Sequence, residues 1–373
     1  MIYFDSAATT FQKPPSVSAA MQTALAAMSS PGRGGYESAM RAAELAFDCR
    51  SELAELFGME NPEQVVFTMN ATHALNIAIK SLVPRGGRAV ISAWEHNAVT
   101  RPLAALGAEV SVAGGMVFDR EAALDAFERQ VKPGVDAVVC THVSNVFGFV
   151  LPVEEIASLC RGQGVPLIID ASQSSGILPL DMKRISPAFA AMPGHKGMYG
   201  PQGTGVLLCG EAKTEPLLEG GTGSLSVQQE MPEFLPDRLE AGTHNIPGIA
   251  GLLEGVRFVR QLGTDKICHH ERLLAQMAAE GLRGLPGVRV FAQPDLANQT
   301  GVLSFTVEGK DVEEVARRLG ERHIAVRAGI HCAPLAHRSA GTLDSGTVRL
   351  SFSVWNTAEE IRQLLRAMEE IVY

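Results

Sequence analysis

The sequence predicts an α/β protein: a large domain around a mostly parallel sheet, joined to a smaller α+β domain. Three observations carry this expectation. Between residues 64 and 170, short apolar runs alternate with stretches of helical periodicity, the rhythm of βα units. The apolar runs are largely unbroken, as strands covered on both faces require. Beyond about residue 250 the rhythm gives way to two long amphipathic helices and then to mixed strands and helices. The expected division is a large domain over 14–250 and a small one over 1–13 and 251–373. A chain of 373 residues, 46% of them hydrophobic, suits two domains and can bury a substantial core.

The elements follow in order. Apolar residues at helical spacing predict helices over 17–28 and 36–57, separated by the break Pro31-Gly32-Arg33-Gly34-Gly35. After Pro62 the run Gln64-Val65-Val66-Phe67-Thr68 reads as a strand and 74–82 as a helix. The alternation continues with strands over 88–92, 109–112, 137–141 and 167–170, and helices over 99–106, 120–131 and 153–162. A further strand is expected over 204–209. In the small domain the helices are 249–262, 267–285, 312–322 and 357–372; the strands are 288–291, 301–306, 324–327 and 348–352.

Composition narrows the function. The net charge is −9, the pI is near 5.6, and no basic block occurs, which argues against nucleic acid and anionic membranes as partners. The start Met1-Ile2-Tyr3-Phe4-Asp5-Ser6 lacks the cationic and apolar regions of a signal peptide, and no apolar run is long enough to span a membrane. Cys49, Cys140, Cys160, Cys209, Cys268 and Cys332 are scattered without a CxxC pair, so neither a metal site nor a disulfide framework is expected. The cytoplasm is the expected compartment.

Lys196 is the most informative residue. It lies in Met192-Pro193-Gly194-His195-Lys196-Gly197-Met198-Tyr199-Gly200, downstream of the apolar run Val165-Pro166-Leu167-Ile168-Ile169 that ends in Asp170. An acid delivered at a strand's carboxyl end, followed by a lysine on a Gly-flanked loop, is what pyridoxal phosphate (PLP) chemistry needs. The amine forms a Schiff base with the cofactor aldehyde, and the carboxylate keeps the pyridine nitrogen protonated, so the ring accepts electrons. Each residue alone has a plain reading, a solvated lysine or a helix cap.

Other segments offer groups at strand ends. In Thr68-Met69-Asn70-Ala71-Thr72-His73, amides at a helix start can bind phosphate; Asn70 or Thr72 can equally cap that helix. No GxGxxG follows a strand and no P-loop occurs, which argues against dinucleotides and ATP. In Trp94-Glu95-His96-Asn97-Ala98 the imidazole can stack on a planar cofactor and shuttle protons, or simply occupy a turn. Asn145, after the 137–141 strand, can donate to a phenolic oxygen or serve turn chemistry. Gln173 lies one helical turn past Asp170. Cys332 in Arg327-Ala328-Gly329-Ile330-His331-Cys332-Ala333-Pro334 sits near an Arg and a His, a setting that favours thiolate; a buried structural thiol is the alternative. Arg349, inside the apolar strand 348–352, needs an anion: a substrate carboxylate or a structural acid.

Taken together the chain resembles the class V aminotransferase type of PLP enzymes, of fold type I, and within it the cysteine desulfurase/selenocysteine lyase branch. The likeness runs from Phe4-Asp5-Ser6-Ala7-Ala8-Thr9-Thr10 to Arg349 and the terminal helix. It rests on Gly194-His195-Lys196, Tyr199-Gly200-Pro201, Glu95-His96, Ser144-Asn145, Asp170-Ala171-Ser172-Gln173, Glu240-Ala241-Gly242-Thr243 and the segment around Cys332. The resemblance implies a seven-stranded sheet, with Lys196 as the Schiff-base lysine, Asp170 on the pyridine nitrogen and His96 on the ring. It implies Asn145 and Gln173 near the phenolic oxygen, and Ala71, Thr72 and His195 at the phosphate, with Thr243 reaching it from a partner subunit. Arg349, with Asn145 and Ala7, would bind the substrate. Cys332 matches the sulfur-accepting nucleophile, on a short segment of the group II type.

The reaction so implied converts L-cysteine to L-alanine and leaves a persulfide on Cys332. A homodimer and a sulfur-acceptor protein are implied partners. Three departures stand out. Pro193 replaces a Ser that helps bind phosphate, Ile330 replaces a His, and a residue is inserted at Gly197 or Met198. They keep alternatives open: a selenocysteine lyase, or a class V aminotransferase or lyase acting on another amino acid. A non-catalytic scaffold would have no need for Lys196, Asp170, Cys332 and Arg349 together.

Overall fold

The computed structural model describes residues 1–31, 34–293 and 296–373; Gly32 and Arg33 of the expected 31–35 break lie outside the described residues. In chain order the elements are β1 (Ile2–Tyr3), α1 (Pro15–Ala27), α2 (Glu37–Leu56), β2 (Val65–Thr68), α3 (Ala71–Leu82), β3 (Arg88–Ser92), α4 (Asn97–Ala105) and β4 (Glu109–Ala113). Then come α5 (Arg120–Gln130), β5 (Ala137–Thr141), α6 (Val153–Gln163), β6 (Leu167–Asp170), α7 (Met182–Ile185), β7 (Phe189–Pro193), β8 (Gly205–Cys209) and α8 (Ile246–Leu262). The remainder is α9 (Thr264–Arg283), β9 (Val288–Phe291), β10 (Val302–Val307), α10 (Val312–Glu321), β11 (Ile324–Ala325), β12 (Arg327–Gly329), α11 (Pro334–Ala340), β13 (Thr347–Ser351) and α12 (Ala358–Val372).

The main sheet has seven strands in the order β2-β8-β7-β6-β5-β3-β4. Pairings from β7 to β4 are parallel, and β8 runs antiparallel to both of its neighbours. Strand side chains alternate between two apolar clusters. Val90, Val138, Ile169 and Ala190 face one way, towards a cluster that includes α2, α5, α6 and α8. Ala89, Ile91, Val139, Ile168 and Ala191 face α3 and α4 on the other. Coverage of both faces explains the unbroken apolar runs.

A four-stranded antiparallel sheet, β12-β13-β10-β9, packs with α9, α10 and α12 in its own cluster. Residues 1–5 pack against it: Phe4 lies in that cluster, Asp5 bridges Ser351, and β1 pairs in parallel with β11 in a separate two-stranded sheet. The carboxyl ends of β2, β3, β5, β6 and β7 share one edge of the main sheet, where α/β proteins bind ligands. No described helix is long and apolar enough to cross a membrane.

Four elements, β1, α7, β7 and α11, have no counterpart among those the sequence predicts. The expected 324–327 strand is in fact two, β11 and β12, which join different sheets. Pro334 opens α11, where a proline's missing N–H costs nothing.

Candidate active site

Lys196 follows β7 on a tight loop. Gly194 N donates to Thr204 O at 2.9 Å, Gly200 N to Gly194 O at 2.8 Å, and Tyr199 N to Lys196 O at 2.9 Å. The inserted position is absorbed by a close backbone approach. A Cβ on Gly197 would lie 2.3 Å from Ser175 O, and one on Gly176 (φ +78°) 2.2 Å from Gly197 O. Met198 is fully buried, so the loop is packed into the core.

Asp170 ends β6, is 3% exposed, and accepts a hydrogen bond from Ser172 N through Oδ1 at 2.9 Å. Burial pushes Lys196 down to about 8, opposed by the charge of Asp170. The amine therefore titrates close to neutrality, where it can both give and take a proton.

His96 caps α4. Its Nδ1 accepts from Ala98 N at 3.0 Å, which leaves the ring proton on Nε2. Burial lowers its pKa while Asp170 opposes. Glu95 beside it is fully buried. Its Oε1 accepts from Thr141 N at 2.7 Å and from the Ser92 hydroxyl, tying the end of β3 to the end of β5. Burial raises this carboxyl to about 8 against those hydrogen bonds, so it is largely protonated at neutral pH.

At the start of α3, Asn70 Oδ1 accepts from His73 N at 2.9 Å, which makes Asn70 the cap. The Ala71 and Thr72 end of the helix opens on the same cavity as His195. His195 Nδ1 is buried with no hydrogen-bond partner among the described residues, and burial lowers its pKa to about 4.

Ala71, Thr72, His96, Asn145, Asp170, Gln173, His195 and Lys196 thus line one cavity of about 120 Å³. An adjoining void of about 20 Å³ touches Lys196, Gln173, Ala7 and the buried Glu271. The donor set suits a planar, phosphorylated ring: helix-start amides for phosphate, an acid for a pyridinium, and orphaned buried polar atoms at His195 Nδ1 and Asn145 Oδ1.

Two of the lining amides already hold partners, while Arg349, Cys332 and Thr243 lie outside the lining. Asn145 Nδ2 donates to His331 O at 2.8 Å, and Gln173 Nε2 to Ala7 O at 2.9 Å, so each amide has one hydrogen left for a ligand. Arg349 is 2% exposed. Its Nη2 pairs with Asp5 at 2.7 Å, its Nη1 donates to Asn145 O at 2.9 Å, and its Nε has no partner among the described residues. A structural ion pair is therefore present, yet the Nε donor stays unpartnered among the described residues. Asp5 and Glu95 were not singled out for any role from the sequence, because their contacts join residues far apart or wholly inside the fold.

Cys332 is the one exposed cysteine of the six. It and His331 both adopt positive φ, 58° and 51°. Cys332 O accepts from Asn97 N at 2.8 Å, which fixes this segment beside His96. The expected electropositive setting is corrected in one respect. Burial drives His331 down to about 2, so its ring is neutral, and the cation on this segment is the exposed Arg327. Thr243 is exposed and lines other cavities; its segment is anchored by Glu240, whose carboxylate takes Arg50 at 2.6 and 2.7 Å.

The sheet and the strand-end acid and lysine are those of fold type I, and the family model described as "Aminotransferase class-V" matches residues 2–364; the chain belongs to that family. It is 34% identical to a probable cysteine desulfurase of Methanothermobacter thermautotrophicus, covering 99% of this chain and 94% of that protein. It is 35% identical to one of Mycolicibacterium paratuberculosis, where it spans all of this chain but only 55% of the relative. Among solved structures, the apo cysteine desulfurase of Thermococcus onnurineus NA1 superposes with a TM-score of 0.90 at 32% identity, covering 100% of this chain and 94% of that one.

Proposed function

We propose that the protein is a PLP-dependent cysteine desulfurase that converts L-cysteine to L-alanine and takes the sulfur on Cys332. The observation that carries this reading is the tether between Cys332 O and Asn97 N. It holds the exposed cysteine next to His96, whose ring lines the cavity shared with Lys196 and Asp170. The relatives' printed names agree with it.

In this reading Asp170 would keep the pyridine nitrogen of PLP protonated, the start of α3 and His195 would hold its phosphate, and His96 would lie against its ring. When bound, PLP supplies an electron sink for carbanions next to the substrate amine. Arg349 receives the substrate carboxylate through Nε and its shared Nη2. Lys196, with its pKa near 8, removes the substrate's Cα proton and returns protons to carbon. His96 manages the thiol proton. The Cys332 thiolate attacks the substrate sulfur: an S–S bond forms, the C–S bond breaks, and its electron pair passes to Cβ, which is protonated to give alanine. Sulfur leaves as a persulfide on Cys332, for transfer to an acceptor protein.

The chain acts as a homodimer in this reading, with Thr243 of one subunit at the phosphate of the other; a solution mass of one chain alone would contradict that. The functional test is replacement of the nucleophile. Cys332→Ala should lose alanine and sulfide formation from L-cysteine by at least about a hundredfold while keeping the visible absorbance of the loaded protein. Wild-type rates in that variant would sink the role of Cys332. Activity that survives on selenocysteine alone would point to a selenocysteine lyase instead.

A further inference from the structure

The carbonyl of His195, the residue before Lys196, is the target of an unusual convergence. Four donors from the N-terminal segment reach it. Thr10 N and Thr10 Oγ1 lie at 3.1 Å, Thr9 Oγ1 at 3.2 Å, and Lys13 Nζ at 3.1 Å. Thr10 Oγ1 also reaches Lys196 O at 3.3 Å, and Lys13 Nζ contacts Thr10 Oγ1 at 2.5 Å. A carbonyl oxygen has two lone pairs, so the threonines alone would satisfy it. The ammonium is surplus to hydrogen bonding. It is also partly buried, and no neighbouring charge offsets the burial that lowers its pKa to about 8.

The other end of this segment is fixed. Tyr3 OH donates to Thr9 O at 2.9 Å and to Asp5 O at 3.2 Å, and residues 2–5 pair with β11 and β13. Lys13 is therefore held by a braced strap and delivers a positive charge to the peptide that leads into Lys196. A tether that only docked the terminus would not need to strip water from a cation.

We infer that Lys13, seconded by Thr9 and Thr10, is a positioning residue for Lys196: it clamps the His195 carbonyl and so aims the Lys196 amine into the cavity. The inference rests on the reading of Lys196 as the cofactor-bearing lysine. The charges already acting on Lys196 are Asp170 and Asp5, which favour its protonated form, and Arg349 and Arg327, which oppose it. Lys13 is a further cation beside this loop: its charge lowers the pKa of the adjoining His195 ring.

The test uses the PLP-loaded protein and follows its visible absorbance band against pH. Lys13→Met should move the titration midpoint upward by about half a pH unit, because a nearby cation is lost. It should lower kcat for cysteine about tenfold and leave KM within about twofold. Lys13→Arg, which keeps the charge, should restore the midpoint. An unmoved midpoint in Lys13→Met, or a Lys13→Arg protein that behaves like Lys13→Met, overturns the inference. If Lys13→Met does not fold, as judged by circular dichroism, Lys13→Gln carries the same criterion. A wild-type protein with no visible band overturns the reading of Lys196 and this inference with it; a band with an unmoved midpoint overturns the inference alone.

Discussion

Glu95 receives its role from its surroundings. It stands beside His96 in the sequence, yet its carboxyl turns inward and joins β3 to β5 through Thr141 N and Ser92. Its native pKa, raised to about 8 by burial, lies above the usual carboxylate value of 4.5. The folded state therefore holds a proton that the unfolded chain releases. The stability this gives is complete below about pH 4.5 and is lost as pH rises through about 8. Glu95→Gln should keep activity within about threefold and should gain stability relative to wild type between pH 5 and 8, measured by thermal melts. Glu95→Ala should lose about 1–3 kcal/mol, since Thr141 N and Ser92 are left unpaired. A Glu95→Gln protein as impaired as Glu95→Ala would show that the ionised form is required. The same inwardness hid Asp5: its partner Arg349 is 344 positions away, and nothing local in Asp5-Ser6 announces the pair. Lys196, Asp170 and His96 were legible because each ends a strand or follows one in a recognisable run.

At the scale of elements, the strands found from sequence are those rich in Val, Ile and Leu. β7 escaped because Phe189-Ala190-Ala191-Met192-Pro193 carries two alanines and closes on a proline. Its pairing comes from its neighbours: β6 on one side and β8 on the other supply the ladders. That strand delivers Lys196, so the element least visible in the sequence sets the site. The loop after it depends on the absent side chain at Gly197. Gly197→Ala would push a methyl against Ser175 O and should cost about 1–3 kcal/mol. It should also weaken retention of the visible chromophore on dialysis. Unchanged melting and retention would mean that the Gly176–Gly197 contact can relax freely.

At the scale of the molecule, the packing supports a division near Gly263 rather than 250. α8 contributes Ile249, Leu252 and Val256 to the cluster under the main sheet, whereas Leu274 and Ala278 of α9 belong to the cluster of the four-stranded sheet. We propose that boundary for the two domains, with limited proteolysis as its check: cleavage concentrated at 245–255 would contradict it. Residues 1–13 run from β11 and β13 at one end to the Lys196 loop of the main sheet at the other. Fold class and six of the seven strands of the main sheet followed from periodicity; these crossings did not, because contacts between distant segments leave no local pattern.

The most direct measurement is a single turnover of the PLP-loaded protein with L-cysteine, followed by mass analysis of its peptides. One added sulfur atom is expected on the peptide that holds Cys332, none on the other five cysteines, with one alanine released per sulfur retained. Pyruvate in place of alanine, or alanine formed with Cys332 unmodified, would contradict it.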